Sequence, residues 1–420
     1  MGGGVDKNPN GQPVDYHVTP DMARQVAEKR LQLSNPKRFK QVQAVSVTRE
    51  EIPGIDAGIY VVETDPAGFV IVPDTKKLPP VLGFSESRSF YPENQKPGGL
   101  SGEVETWLGY QMERAMVMKD GNAFLDEWDI YLDNHTEAII DPDDCDTVSH
   151  YLEKTVYGHY INSNNTYEGY MTTTWGQCSP YNINSYFDSN NSCGYCVDYP
   201  VGCTTVAMAQ IVKYWEKAPT NYSWSLMCDH CTQINSSSME VSRLMADVAD
   251  EINVSLDCSG SGAFVYFPTP IISDMYDAFQ KWGYHVVHSK YNILDSSDRD
   301  TFGTVYQDLT QNIMWRRPVV LAGMKDADKG HAWNSDGYWI ERWKDVVVCE
   351  TLDGEQTYIR DSGNGDDYMY MNWGWNGSSN GWYWTTRVVN HLNYGLPFNE
   401  TFNTVNGNYK YDMVFLFDIF

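Results

Sequence analysis

The sequence predicts an α+β protein in which a small α+β unit precedes a larger one that begins helical and ends in strands. Three observations carry this. Apolar residues recur at helical spacing in 21–31 and again in 103–118, and two short β-type runs lie between them. A polar break containing Asp141-Pro142-Asp143-Asp144 and Asn162-Ser163-Asn164-Asn165 ends that unit. Beyond the break, one long apolar helix is followed by strand after strand.

Residues 1–19, rich in Gly, Asn, Asp and Pro, are expected to be flexible. The N-terminus has neither a basic nor an apolar stretch and so reads as lacking a signal peptide. The triplet Gly2-Gly3-Gly4 reads as an added scar that could stand where a natural leader was removed. The next unit spans 20–160. Its first helix starts near Asp21, and strands at 58–64 and 68–72 flank Asp65-Pro66-Ala67, the signature of a hairpin. Leu82-Gly83-Phe84 offers a third strand. In the helix at 103–118, Val104, Trp107, Leu108, Met112 and Ala115 share one side. The stretch 141–165 is expected to be a loop and the domain boundary. The second unit, 161–420, closes with strands at 318–322, 332–340, 345–349, 368–373 and 414–417.

The chain has 420 residues, with 30 Lys+Arg against 56 Asp+Glu and a net charge of −26. That balance argues against nucleic acid or an anionic membrane surface as a partner. No apolar run approaches the ~18 residues that span a bilayer. Nine cysteines are present, and an odd number in an oxidising compartment leaves one thiol unpaired.

The most informative segment is Gly202-Cys203 followed by about twelve mostly apolar residues, a thiol heading a buried helix. The unpaired N–H groups and the dipole at a helix N-terminus favour a thiolate, half of what a nucleophile needs. The alternative is an inert cysteine packed as a small hydrophobe. A rival thiol, Cys196 in Cys193-Gly194-Tyr195-Cys196, nearly fits the papain signature, but Pro200 and Gly202 would break any helix begun there.

A thiol nucleophile needs a base. His331 in Gly330-His331-Ala332-Trp333-Asn334 lies between apolar strands, about 130 residues after Cys203, the separation of papain-type enzymes. Asn372-Trp373-Gly374-Trp375 supplies an aromatic to cover an imidazole and an amide to hold its tautomer, or else a Trp-rich turn that packs a core. Gln177, in Trp175-Gly176-Gln177, supplies an amide for a developing oxyanion, together with the Cys203 N–H.

In their order along the chain, Gln177 with Pro180-Tyr181-Asn182, Gly202-Cys203, Gly330-His331-Ala332 with Asp336-Gly337, and Asn372-Trp373-Gly374-Trp375 resemble the streptopain family of bacterial cysteine peptidases. Gly68-Phe69-Val70-Ile71-Val72 and Pro79-Pro80-Val81-Leu82-Gly83-Phe84-Ser85 resemble that family's inhibitory prodomain. The resemblance runs from about residue 20 to 420. It implies a papain-like catalytic domain, part helical and part antiparallel sheet or barrel, behind a small α+β prodomain. It also implies a secreted, periplasmic or cell-surface endopeptidase zymogen that is activated by loss of residues up to about 160 through cleavage within 141–165. Its partners would be protein or peptide substrates and its own prodomain as intramolecular inhibitor. Carried over by position, Cys203 is the nucleophile, His331 the general base and acid, and Gln177 the oxyanion-hole side chain. Trp373 takes the orienting role, with Asn372 a lesser candidate. Ser261, Gly330 and Trp375 line the substrate cleft.

The eight other cysteines depart from the family pattern. Cys193, Cys196, Cys228 and Cys231 allow either a zinc knuckle or disulfides, with disulfides favoured in an exported chain. The chemistry requires no cofactor and no metal. Asp361, Asn364, Asp366 and Asp367 are spaced too irregularly for a calcium loop. Two other readings compete. Gly377-Ser378-Ser379-Asn380-Gly381 fits a serine nucleophile motif, but that motif requires a helix afterwards and 382–386 reads as strand. The 14 Trp and 29 Tyr would suit a non-catalytic carbohydrate- or surface-binding protein.

Overall fold

The structure is a computed structural model describing residues 14–91, 100, 102–118, 124–132, 145–157, 159–161, 166–189, 193–265, 274–292, 299–326, 329–351, 354–361, 365–385 and 412–420. Helix α1 (Pro20–Ser34) starts where the Thr19 hydroxyl accepts from the Met22 N–H and Pro20 takes the first helical position. Its apolar side, Ala23, Val26, Ala27 and Leu31, is buried against strands β1 (Gln43–Glu51), β2 (Gly58–Asp65) and β3 (Gly68–Pro73). β2 and β3 form the hairpin expected around Pro66, and β4 (Gly83–Ser85) adds to β3. Helices α2 (Gly102–Met118) and α3 (Leu125–Tyr131) follow, and the Trp128 indole donates to the Leu78 carbonyl at 2.8 Å.

The expected loop at 141–165 is corrected. Strand β5 (Cys145–Tyr157) fills most of it, and β6 (His159–Ile161) pairs with β7 (Tyr167–Gly169). The run Thr147-Val148-Ser149-His150-Tyr151-Leu152 carries strand-forming residue types that polar flanks conceal. Asp141 to Asp144 and Asn162 to Asn165 lie outside the described residues.

Helix α4 (Cys203–Trp215) is buried all round through Val212, as its mostly apolar sequence implies. It is followed by α5 (Ser236–Glu251), α6 (Met275–Lys281), β8 (Val287–Asn292), α7 (Arg299–Met314) and β9 (Val319–Asp326). Next comes β10 (Lys329–Thr351), one continuous strand where two were expected. Glu341-Arg342-Trp343-Lys344 contains no breaker, and each of these residues pairs with one on β5. The remaining strands are β11 (Gly354–Asp361), β12 (Asp367–Asn372), β13 (Gly381–Thr385) and β14 (Asp412–Phe417).

Twelve strands make one sheet in the order β1-β2-β3-β4-β13-β12-β10-β9-β14-β8, with β5 and β11 also paired to β10. The N-terminal unit therefore extends the sheet of the second unit. One splice is β4 on β13, with Phe84 opposite Trp382 and Gly83 opposite Tyr383, and a second is β5 on β10. Phe84 packs edge-to-face on Trp339 and on Tyr368, each at 5.3 Å. Burying one such ring contributes roughly 1.5–3 kcal/mol.

Candidate active site

Four sequence segments meet at the first turn of α4. Gly202, the residue before the helix, has φ +90°, and a Cβ there would lie 2.7 Å from the Ser261 carbonyl oxygen. Only glycine lets the 259–262 loop come so close. That loop is held by an Ala263 N–H to Thr204 hydroxyl bond of 3.2 Å and by paired bonds between Ser255 and Gly262. The Val201 N–H donates to the Gln177 carbonyl at 2.9 Å, which fixes the glutamine beside the helix start. Gly374 lies against the Val206 side chain, one turn into α4, so the turn carrying Trp375 reaches the same point. Finally, the Asn334 amide of β10 donates to the Ala207 carbonyl at 3.0 Å. Asn334 is three residues from His331, and Ala207 is one turn from Cys203.

Cys203 is buried and its thiol is free. Disulfides join Cys178 to Cys196, Cys193 to Cys258 and Cys228 to Cys231. These are the disulfides favoured over a zinc knuckle, and they put the four sulfurs of that alternative in three different pairs. The rival nucleophile Cys196 is consumed by its bond to Cys178, next to Gln177. The pairings tie the glutamine loop, the approach to α4 and the Ser261 loop to one another.

His331 is half-buried on β10, opposite Gly323 of β9. Gly330, also half-buried, precedes it. Two residues on, the Trp333 ring packs on the Trp373 ring at 5.1 Å, and Trp373 donates from its indole to the Ser379 carbonyl at 3.0 Å. Asn372 stands opposite Asn334 of β10. Its amide donates to the Thr173 carbonyl at 2.7 Å and to Gln210 of α4 at 3.1 Å, so it clamps β12 to the helix. Both orienting candidates therefore border the histidine strand, Trp373 through its ring contact with Trp333 and Asn372 through its pairing with Asn334. Trp375 is half-buried at the turn, and the following Asn376 accepts from the Tyr181 hydroxyl at 2.8 Å.

Asp336 is fully buried, takes the Met171 N–H at 2.5 Å and lies where a Gly169 side chain would be. Burial pushes its carboxyl up to about 8, with the Met171 bond opposing and Glu168 adding to the rise. The strand expected at 332–340 runs through Asp336-Gly337, with an irregularity in its register to β12 between Ser335 and Gly337.

The serine motif fails on geometry. Gly381 opens strand β13 rather than a helix, and the Ser379 hydroxyl is spent on the Phe90 carbonyl at 2.5 Å. The aromatic-platform reading loses much of its support, because Trp128, Trp175, Trp333, Trp339, Trp343, Trp373 and Trp382 are all fully buried, although Trp315 is exposed. Asp366 accepts from the Trp384 indole and Asp367 from the Tyr338 hydroxyl, as packing partners. Asn364 lies outside the described residues.

The peptidase C10 family profile matches residues 175–383, and the Spi protease inhibitor profile matches residues 15–116. The chain belongs to the peptidase C10 family. It is a cysteine protease with an inhibitor segment on the same chain, the organisation of a zymogen. The chain is also similar to the solved structure of a Prevotella intermedia prointerpain A fragment that carries a cysteine-to-alanine mutation. That likeness has 17% identity and a TM-score of 0.46 over 88% of this chain and 97% of that one. Active wild-type interpain A of the same organism is similar at 18% identity and a TM-score of 0.35, over 60% of this chain and 93% of that one. Comparison with curated proteins gave no match. Among the described residues, no helix of the peptidase is long and apolar enough to cross a membrane.

Proposed function

We propose that this peptidase cleaves proteins or peptides with Cys203 as nucleophile and His331 as general base and acid. The Cys203 sulfur attacks the scissile carbonyl carbon while His331 holds the thiol proton. The Gln177 amide and the Cys203 N–H receive the developing oxyanion. His331 then protonates the leaving amine, and the acyl group remains on sulfur as a thioester. Water, deprotonated by the same imidazole, releases the acid and restores the thiol. Trp373 keeps the imidazole oriented and covered, and Ser261, Gly330 and Trp375 line the cleft.

The observation that carries this reading is the free thiol of Cys203 at the start of α4, behind a glycine that no other residue could replace. The helix directs its positive end at the sulfur. Residues 20–160 act as the inhibitory prodomain of a catalytic domain at 161–420, and cleavage within 141–165 activates it. Three disulfides fit an exported chain, in the periplasm, at the cell surface or outside a bacterium. The test is Cys203→Ala, which should abolish peptide hydrolysis and iodoacetamide labelling while leaving the heat-unfolding profile in place. A Cys203→Ala protein that still hydrolyses peptides would end the assignment.

A further inference from the structure

Arg30, on α1 of the inhibitor segment, is fully buried, and its guanidinium reaches Glu341 on β10 of the peptidase at 2.6 Å. The same carboxylate accepts from the Trp339 indole at 2.6 Å. The flat cation lies over Phe84, 3.8 Å from the ring centroid, with Tyr368 at 5.3 Å and Trp339 at 5.7 Å. One half of the ion pair therefore comes from the matched inhibitor region and the other from the matched peptidase region. Cleavage at the junction converts a contact within one chain into a contact between two.

A buried ion pair contributes little net stability compared with apolar residues of the same shape, but removing one partner is costly. Its value lies in discrimination. A guanidinium can lay its flat face on an aromatic ring and still donate to a carboxylate through its fork, whereas an ammonium can sit over a ring but is a strongly hydrated point charge with no plane to stack. We propose that Glu341, walled by Trp339 and Tyr368, is an arginine-recognition site through which the peptidase domain holds its own inhibitor segment after cleavage, with Arg30 as its occupant. The site deepens the zymogen organisation by naming what the segment is recognised by. It adds a charged, side-chain-specific contact to the β4–β13 pairing that also holds the segment.

The test uses the full chain carrying Cys203→Ala, so the outcome is independent of whether Cys203 is the nucleophile. A recognition sequence for an added protease replaces residues 134–140, and the nicked protein is followed by size-exclusion chromatography and intact mass. Nicked protein with Arg30 should keep its N-terminal fragment. Arg30→Lys, Arg30→Met and Glu341→Gln should each speed fragment loss by about a hundredfold. The double variant Arg30→Met with Glu341→Gln should lose the fragment no faster than either single variant. Retention by Arg30→Lys at the rate of the parent would overturn the proposal, and so would single-variant effects that simply multiply. Should Arg30→Met not fold, Arg30→Lys, which preserves the charge, decides the question alone.

Discussion

The Asn334 side-chain amide donates to the Ala207 carbonyl at 3.0 Å, joining the strand that carries His331 to the helix that carries Cys203 one turn from the sulfur. Both residues are buried. The bond is thus a direct side-chain link between the two elements on which the proposed chemistry depends.

Asn334→Ala should therefore act on geometry before it acts on the fold. Losing one buried amide bond costs about 1–3 kcal/mol, which heat unfolding would register as a modest shift. The activated variant is expected to lose kcat by at least about tenfold with little change in KM, since a histidine strand set loosely on α4 weakens transition-state contacts more than substrate binding. Unchanged kcat would show that β10 is positioned by the sheet alone.

Gly202→Ala is expected to be worse. The added methyl would meet the Ser261 carbonyl at 2.7 Å, and φ +90° is a backbone conformation that alanine avoids. Either the Ser261 loop moves or the start of α4 does. The measurement is the rate of iodoacetamide labelling at Cys203 alongside thermal unfolding. Both should change, with stability falling by about 1–3 kcal/mol.

The parts of this site readable from sequence are those whose chemistry is local. Gly202-Cys203 before an unbroken apolar run specifies a thiol at a helix start, and Gly330-His331 between apolar runs specifies a histidine on a strand. Strand β5 was hidden because 145–157 lies between polar stretches, so its partner β10, far along the chain, decides its conformation. The same holds for the cysteines, since nothing near Cys193 indicates that Cys258 rather than Cys196 or Cys228 will be its mate. Arg30 looks like an ordinary surface residue of an amphipathic helix until the Glu341 strand is laid over it. Asn372 reads as a catalytic amide by analogy, yet its hydrogen bonds go to Gln210 and Thr173.

Asp336 gives the protein a pH dependence of known sign. Its folded carboxyl is raised to about 8 by burial, whereas in the unfolded chain it titrates near the ordinary value of 3.8. Its contribution is fully present below that value. Between about 4 and 8 the unfolded chain releases a proton that the folded protein keeps, so stability falls as pH rises, and it levels off above 8. Asp336→Asn retains an acceptor for the Met171 N–H and has no proton to lose. The difference in Tm between this variant and the parent should grow steadily from pH 4 to 8. A constant difference would mean that the carboxyl is ionised in the folded state.

Two further cysteines give a prediction about release of the inhibitor segment. Six cysteines form the three described disulfides and Cys203 is free, which leaves Cys145 and Cys349. The antiparallel register of β5 and β10 sets these two positions directly opposite each other. Opposed residues in such a pair lie about 4.5–5.5 Å apart at Cα, inside the range that a disulfide spans. In an oxidising compartment the expectation is a fourth bond, made by the same disulfide-donating oxidant that makes the other three. Peptide mapping after alkylation of the unfolded, unreduced protein should find Cys203 alone modified. Alkyl groups on both Cys145 and Cys349 would refute the bond. If it forms, the position of the cut matters. Cleavage ahead of Cys145 frees the inhibitor segment as soon as the Arg30 contact lets go. Cleavage after it leaves the segment tied to β10 until a reductant arrives, and Cys349→Ser should release it without one.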